Sequence, residues 1–393
     1  MQHTSTSERE HNRILYVVSA YSSSNTGNGG HYYSVREIAT AFAAAHPSTV
    51  VEILLIGDVD SAPLRAASVP VSRIDFSALS LHRFFREVIS HIRAFKPTHI
   101  HAFDNKSYFF SRWGALWTGA KLYLTKPGGP NPGRYFPQAP DVICFSAENF
   151  QNLEQRRSLR RSRFHLIPQR TATPEFREDR VLRLRNQVGD APIILRICRI
   201  GAYYRSSILQ TFELAKLLRE QGITVSAVIL GVVQDELVLE EIMSLRGRED
   251  FVITDPAMTT NAAELLPVAD AVVGTGRNLV EAAMAGVTLF TPLAESQLPA
   301  AVTGHNWRDL AATNFSERNK LAIAQSPREL ATAFLRADAT IARTIADEYS
   351  IEAAIRRYAT VYESDQSTHH HPVDFILNAS AVIVSVTRSR RSS

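Results

Sequence analysis

Cysteine is scarce in this 393-residue chain, which has only Cys144 and Cys198. Two thiols in apolar runs exclude a disulfide framework and a cysteine-rich metal site; they read as buried thiols in a reducing compartment. An excess of one charge is also lacking. Lys plus Arg number 43 against 39 Asp plus Glu, leaving a net charge of +4. That surplus is too small to argue for nucleic acid, and basic residues are not interleaved with aromatic ones as in single-strand binders. No run reaches the roughly 18 apolar residues of a spanning helix. The first twelve residues, MQHTSTSEREHN, have no apolar secretory segment. These features lead us to expect a cytoplasmic protein. With 45% hydrophobic and 21% charged residues, the chain is neither disordered throughout nor fibrous. Its length suits two domains.

The apolar pattern alternates between two kinds of segment. Residues 14–20 (ILYVVSA) form a short β-branched run, as in a buried parallel strand. A polar, glycine-rich loop covers 22–30, and a helical pattern covers 31–45. Strand-like runs recur at 50–57, 98–102, 121–125 and 141–145, with a helix over 81–95. After a basic stretch at 156–168 and a polar segment at 171–180, the alternation restarts. Strands are expected at 193–197, 224–231, 251–254, 269–274 and 287–292, with helices at 207–220, 236–245, 261–268 and 279–285. Such alternation predicts parallel sheets with helices on both faces. The expected fold class is therefore α/β, with two tandem Rossmann-like domains meeting near residue 170. Residues 1–13 and 364–393 are expected to be disordered. The last segment, with three consecutive histidines, an apolar stretch and three arginines, reads either as a frayed tail or as a contact with a membrane surface or a partner. Its histidines are too few to claim as a metal site.

Several places can carry chemistry. In SSSNTGNGGHYY (22–33), Gly27, Gly29 and Gly30 precede a helix start, where free amides attract an anion. The spacing is not G-x-G-x-x-G, so dinucleotide binding is weakly supported and a plain turn is the alternative. Asp58-Val59-Asp60 reads as a solvated turn rather than a metal pair. Arg196, Arg199 and Arg205 follow the first strand of the second half, beside a helix start, and suit a diphosphate; a solvated basic loop is the other reading. In GTGRNLVEAAMAG (274–286), a glycine turn opens a helix. Backbone amides at Asn278 and Leu279 would face a ligand, and Glu281 could accept from a vicinal diol or act as a helix-dipole partner. His101, Asp104 and Lys126 lie at strand ends of the first half, where ligands of parallel sheets bind. For His101, a core position is as good a reading as a catalytic one.

These residues carry a resemblance. The chain resembles glycosyltransferases of the GT-B fold, and its second half is similar to the retaining family 4 enzymes. Arg199 and Arg205 resemble the Arg and Lys that hold the donor phosphates, with one extra residue between them. Glu281 in VEAAMAG resembles the second glutamate of E-x7-E. EYSIEAAIRRYATVYE (348–363) looks like the terminal helices that return to the first domain. The chain departs from the family where Val273 stands for the first glutamate and Lys126 stands near the usual histidine.

The resemblance implies two domains facing across a cleft. The acceptor domain would span 14–170, the nucleotide-sugar donor domain 171–345, and the returning helices 346–363. It implies sugar transfer from a nucleotide-sugar to a glycan or lipid-linked acceptor, with retention, in polysaccharide or glycolipid synthesis. Donor-binding residues would be Gly29, Gly30, Arg170, Arg199, Arg205, Gly276, Asn278, Leu279 and Glu281; catalytic ones would be His101, Asp104 and Lys126. No cofactor, metal or nucleic-acid partner is expected. The basic run at 156–163 suggests a peripheral contact at the inner membrane face, a solvated basic helix being the alternative. Two other functions remain open: a non-catalytic nucleotide-sugar or glycan-binding homologue, and a sugar-nucleotide epimerase of the same fold.

Overall fold

The computed structural model describes residues 12–21, 29–76, 80–168 and 170–364. The expectations for the first eleven residues, Gly27 and residues 365–393 lie outside the described residues. The chain divides into two compact units. The first takes residues up to 145, 149–167 and those from 354 onward; the second takes 146–148 and 168–353.

The first unit is built from β1 (Arg13–Ala20), α1 (Gly30–Ala45), β2 (Val50–Gly57), α2 (Ala62–Arg65), β3 (Val71–Asp75), α3 (Leu81–Phe95), β4 (His99–Ala102), α4 (Asn105–Thr118), β5 (Lys121–Lys126), β6 (Asp141–Cys144), α5 (Ala147–Glu154) and β7 (Arg163–Leu166). Its seven strands run in the order β3-β2-β1-β4-β5-β6-β7, and every pairing is parallel. Leu15, Val17, Leu54, Ile56, Ile100 and Leu122 pack with α3 and α4 side chains such as Phe84, Val88 and Tyr108 in one core. The register of β1 on β4, Tyr16 opposite His101, sends alternate side chains to the other face.

The second unit contains α6 (Glu178–Val188), β8 (Ile193–Ile197), α7 (Arg205–Glu220), β9 (Ser226–Leu230), α8 (Glu236–Leu245), β10 (Phe251–Ile253), α9 (Pro256–Thr259), β11 (Ala271–Val273), α10 (Arg277–Met284), β12 (Thr288–Thr291), β13 (Ala300–Ala301), α11 (Trp307–Ala312), α12 (Pro327–Leu335) and α13 (Ala339–Glu348). Six strands run β10-β9-β8-β11-β12-β13, with only the short β12–β13 pair antiparallel. Ile193 and Leu195 join one core while Ile194 joins another, so β8 is buried on both faces. The last helix, α14 (Ile351–Glu363), falls in the first unit from Ala354.

Three local readings change. The basic stretch 156–168 is not a helix: a 3-10 turn, Arg157–Leu159, leads into edge strand β7. An edge strand tolerates polar side chains, so its charges hid it. Arg163 donates twice to Asp141 at 2.9 Å, and His165 pairs with the same carboxylate at 2.6 Å. Helices α4 and α6 and strand β3 were not foreseen, and residues 262–268 form a 3-10 helix containing Pro267. Cys144 is buried, whereas Cys198 is only half-buried; both are free thiols. Burial pushes the Cys144 thiol up to about 12.

Candidate functional site

In the first unit, β1, β4 and β5 end beside one another. Asp104 caps α4. Its Oδ1 accepts from the amides of Lys106 (2.9 Å) and Ser107 (2.8 Å) and from the Ser19 hydroxyl (2.7 Å). Its Oδ2 accepts from the Ser19 amide at 2.7 Å. The carboxylate is thus consumed in tying the end of β1 to the start of α4, the work of an N-cap rather than a proton-transfer group.

His101 is wholly enclosed. Its Nδ1 shares a hydrogen bond with the Tyr362 hydroxyl at 2.6 Å, and its Nε2 one with the Thr125 hydroxyl at 2.7 Å. Burial lowers its pKa to about 3, so the ring stays neutral. Both nitrogens are spent on protein hydroxyls, and the structure gives His101 the core position. Lys126 ends β5 half-buried, its Nζ donating to the Gly128 carbonyl. Gly29 and Gly30 open α1; no side chain caps this end and its first turn holds no acid. A Cβ on Gly30 would meet nothing within 4 Å. Asp60 of the D-x-D turn binds Arg65 through Nε at 2.6 Å, with Arg73 at 3.9 Å, in keeping with a turn.

In the second unit, β8 and β11 are neighbours, with Leu195 opposite Val272. Each leads into a helix whose N-terminus has no side-chain cap and no acid in its first turn: α7 behind Tyr204, and α10 behind Gly276. Gly276 has φ +49°, ψ −123°, a conformation that side chains resist. A Cβ on Gly274 would lie 2.7 Å from Leu279 Cα, so glycine is what lets the turn lie so close to the helix. Leu279 is buried, leaving only its backbone for a ligand; the expected Asn278 amide instead donates to the Thr275 carbonyl at 3.1 Å, and the Gly276 amide to the Asn314 carbonyl at 3.0 Å.

The predicted site residues of this unit do not all converge. Arg199 is exposed; its guanidinium lies over the Tyr204 ring at 5.3 Å and donates to that hydroxyl at 3.1 Å. Arg205 instead grips Glu241 of α8, with Nε at 2.5 Å from Oε2. Its guanidinium is therefore held on α8. Glu281 is buried, and Arg277 donates to it at 2.6 Å. Arg170 is buried against Tyr349, 4.7 Å from the ring centroid, and donates to the Pro168 carbonyl at 3.1 Å.

The sequence reading missed the role of Arg196, which is completely buried. Its Nη1 donates to the Val273 carbonyl (3.1 Å) and the Thr275 hydroxyl (3.3 Å); its Nη2 donates to the Ser207 hydroxyl (2.9 Å) and Glu317 (3.1 Å). A signal was present: an arginine inside the apolar strand IILRI needs buried partners. Among the described residues no group of three or more His, Cys, Asp or Glu is placed to hold a metal ion, and no helix is long and apolar enough to cross a membrane.

No family model matches this chain, and no curated protein matches it in sequence. Solved structures do match its fold, the α/β architecture of GT-B glycosyltransferases. A glycosyltransferase from Rickettsia africae has a TM-score of 0.63 at 14% identity, covering 90% of this chain and 98% of its own. Anabaena HepE, solved with UDP and glucose, has a TM-score of 0.59 at 14% identity over 89% and 99%. A candidate UDP-N-acetylglucosamine 2-epimerase from Listeria monocytogenes has 0.56 at 13% identity over 90% and 97%.

Proposed function

We propose that this protein transfers a glycosyl group from a nucleotide-sugar, and that its second unit holds the donor diphosphate. One observation carries the reading: two uncapped, acid-free helix N-termini at the ends of adjacent strands β8 and β11, one of them lined by Gly274 and Gly276. Their aligned dipoles favour a diphosphate. Arg199 adds an exposed cation beside α7 and could neutralise the leaving group without a divalent ion. Glycosyltransferases of the same fold, one of them solved with UDP, support the reading.

The finer features we propose are retention of configuration, no cofactor, and a glycan or lipid-linked acceptor in polysaccharide or glycolipid synthesis. Cytoplasmic placement with a peripheral contact at the inner membrane face is part of the same proposal. Arg157, Arg160 and Arg161 are exposed and are the cations available for anionic lipid. In the first unit, Lys126 and the open start of α1 at Gly29 and Gly30 are the groups we keep for substrate; His101 and Asp104 serve the fold.

Calorimetric titration with UDP, GDP, ADP and dTDP and their glucose conjugates tests the donor. We expect one base to bind, and no binding by any would overturn the reading. Product analysis then separates the activities. Transfer with a retained anomer, unaffected by chelator, is expected. Epimer or free sugar without an acceptor would mark the epimerase, and binding without turnover the non-catalytic homologue.

A further inference from the structure

We propose that Arg196 is a positioning residue that sets the spacing between the two helix N-termini and orients Arg199; this deepens the nucleotide-sugar reading and depends on it. Three of the four bonds of its guanidinium fall on the starts of the two helices, and the fourth on Glu317. Nη1 holds the carbonyl of Val273 and the hydroxyl of Thr275, the two sides of the turn into α10. Nη2 holds Ser207, the third residue of α7, whose hydroxyl in turn donates to the Tyr204 carbonyl at 2.8 Å. A planar fork with fixed donor directions therefore joins the first turn of α7 to the entry of α10.

The same guanidinium lies 5.8 Å from the Tyr204 ring centroid, and Arg199 rests on that ring. Arg196, Tyr204 and Arg199 thus form a stack running from the interior to the surface. Glu317 balances the buried charge at 3.1 Å. An apolar residue would pack at this strand position without the desolvation cost of an ion pair, so packing alone does not call for arginine here. What an apolar side chain lacks is directional donors to both turns. A diphosphate held by both helix starts needs them at set positions, and a misplacement of about 1 Å is enough to lower such binding greatly.

The test separates positioning from stability. Arg196→Met alone leaves the half-buried Glu317 without its cation and should lower the melting temperature. The double variant Arg196→Met/Glu317→Leu removes both charges and should recover it. We expect the double variant, though restored in melting temperature, to bind the nucleoside diphosphate selected by the panel at least tenfold more weakly than wild type. Its affinity for the matching monophosphate should change much less, because one phosphate does not need both turns. Arg196→Lys keeps the charge without the fork and should also weaken diphosphate binding at unchanged melting temperature. Diphosphate affinity within threefold of wild type in either the double or the Arg196→Lys variant would overturn the inference while leaving the nucleotide reading intact. Failure of wild-type protein to bind any of the four diphosphates would overturn that reading, and this inference with it.

Discussion

The Tyr362 hydroxyl meets His101 Nδ1 at 2.6 Å across 261 positions of sequence. It also donates to the Tyr16 hydroxyl at 3.2 Å, and its backbone carbonyl lies 3.1 Å from His99 Nε2 and 3.3 Å from Lys121 Nζ. The end of α14 is thereby fastened to β1, β4 and β5. Tyr362→Phe leaves the shape but strands His101 Nδ1. It should destabilise the protein by about 1–3 kcal/mol, read from the urea midpoint, with no direct effect on nucleotide affinity.

Acidification should loosen the same contact. Burial lowers His99 to about 4 and His101 to about 3, against about 6.5 in the unfolded chain. Below pH 6.5 the unfolded chain takes up protons that the folded one refuses, so stability falls with pH until those lower values are reached. Each histidine contributes a slope of up to about 1.4 kcal/mol per pH unit. Urea unfolding at pH 7.5, 6.0 and 5.0 checks this, and His101→Gln should flatten the slope. A midpoint independent of pH over that range would contradict the assignment.

Asp104→Ala should behave as a fold mutation. It removes a helix cap and strands the Ser19 amide, together costing about 2–4 kcal/mol. Asp104→Asn keeps acceptors for part of the network and should recover some of that stability. Any activity lost should return at lower temperature in step with folding, measured by circular dichroism. Loss of turnover in a fully folded Asp104→Asn protein would restore a chemical role to this residue.

Arg199 and Arg205 should separate. Arg199→Ala removes an exposed cation beside α7 and should weaken diphosphate binding tenfold or more. Arg205 is committed to Glu241, and Arg205→Ala should change affinity less than threefold. Equal large losses in calorimetry would show that Arg205 leaves Glu241 when the diphosphate arrives.

Gly276→Ala forces a Cβ into a left-handed backbone conformation and should cost about 1–3 kcal/mol. Because the strained residue opens α10, nucleotide affinity should fall as well. Wild-type melting and binding together would mean that the turn relaxes freely.

The sequence by itself determined the two α/β units and most of their elements. Burial of a parallel strand on both faces demands an unbroken apolar run, so ILYVVSA and VVEILLIG announce themselves locally, as does the period of α3. The glycine turn before α10 was equally visible, because backbone conformation is a local property of residues 274–276. Short elements such as β7 escaped because an edge strand need not be apolar. The tertiary structure alone decided what the polar side chains do. Arg205 could have met a phosphate, yet Glu241, 36 residues away, took its charge. His101 could have faced substrate, yet Tyr362 and Thr125 enclosed it. Arg196 looked like one more cation in a basic loop, yet it is buried between two turns. A hydrophobic pattern reads out one element at a time, whereas the partner of a charge is chosen by whatever the folded chain brings within about 3 Å.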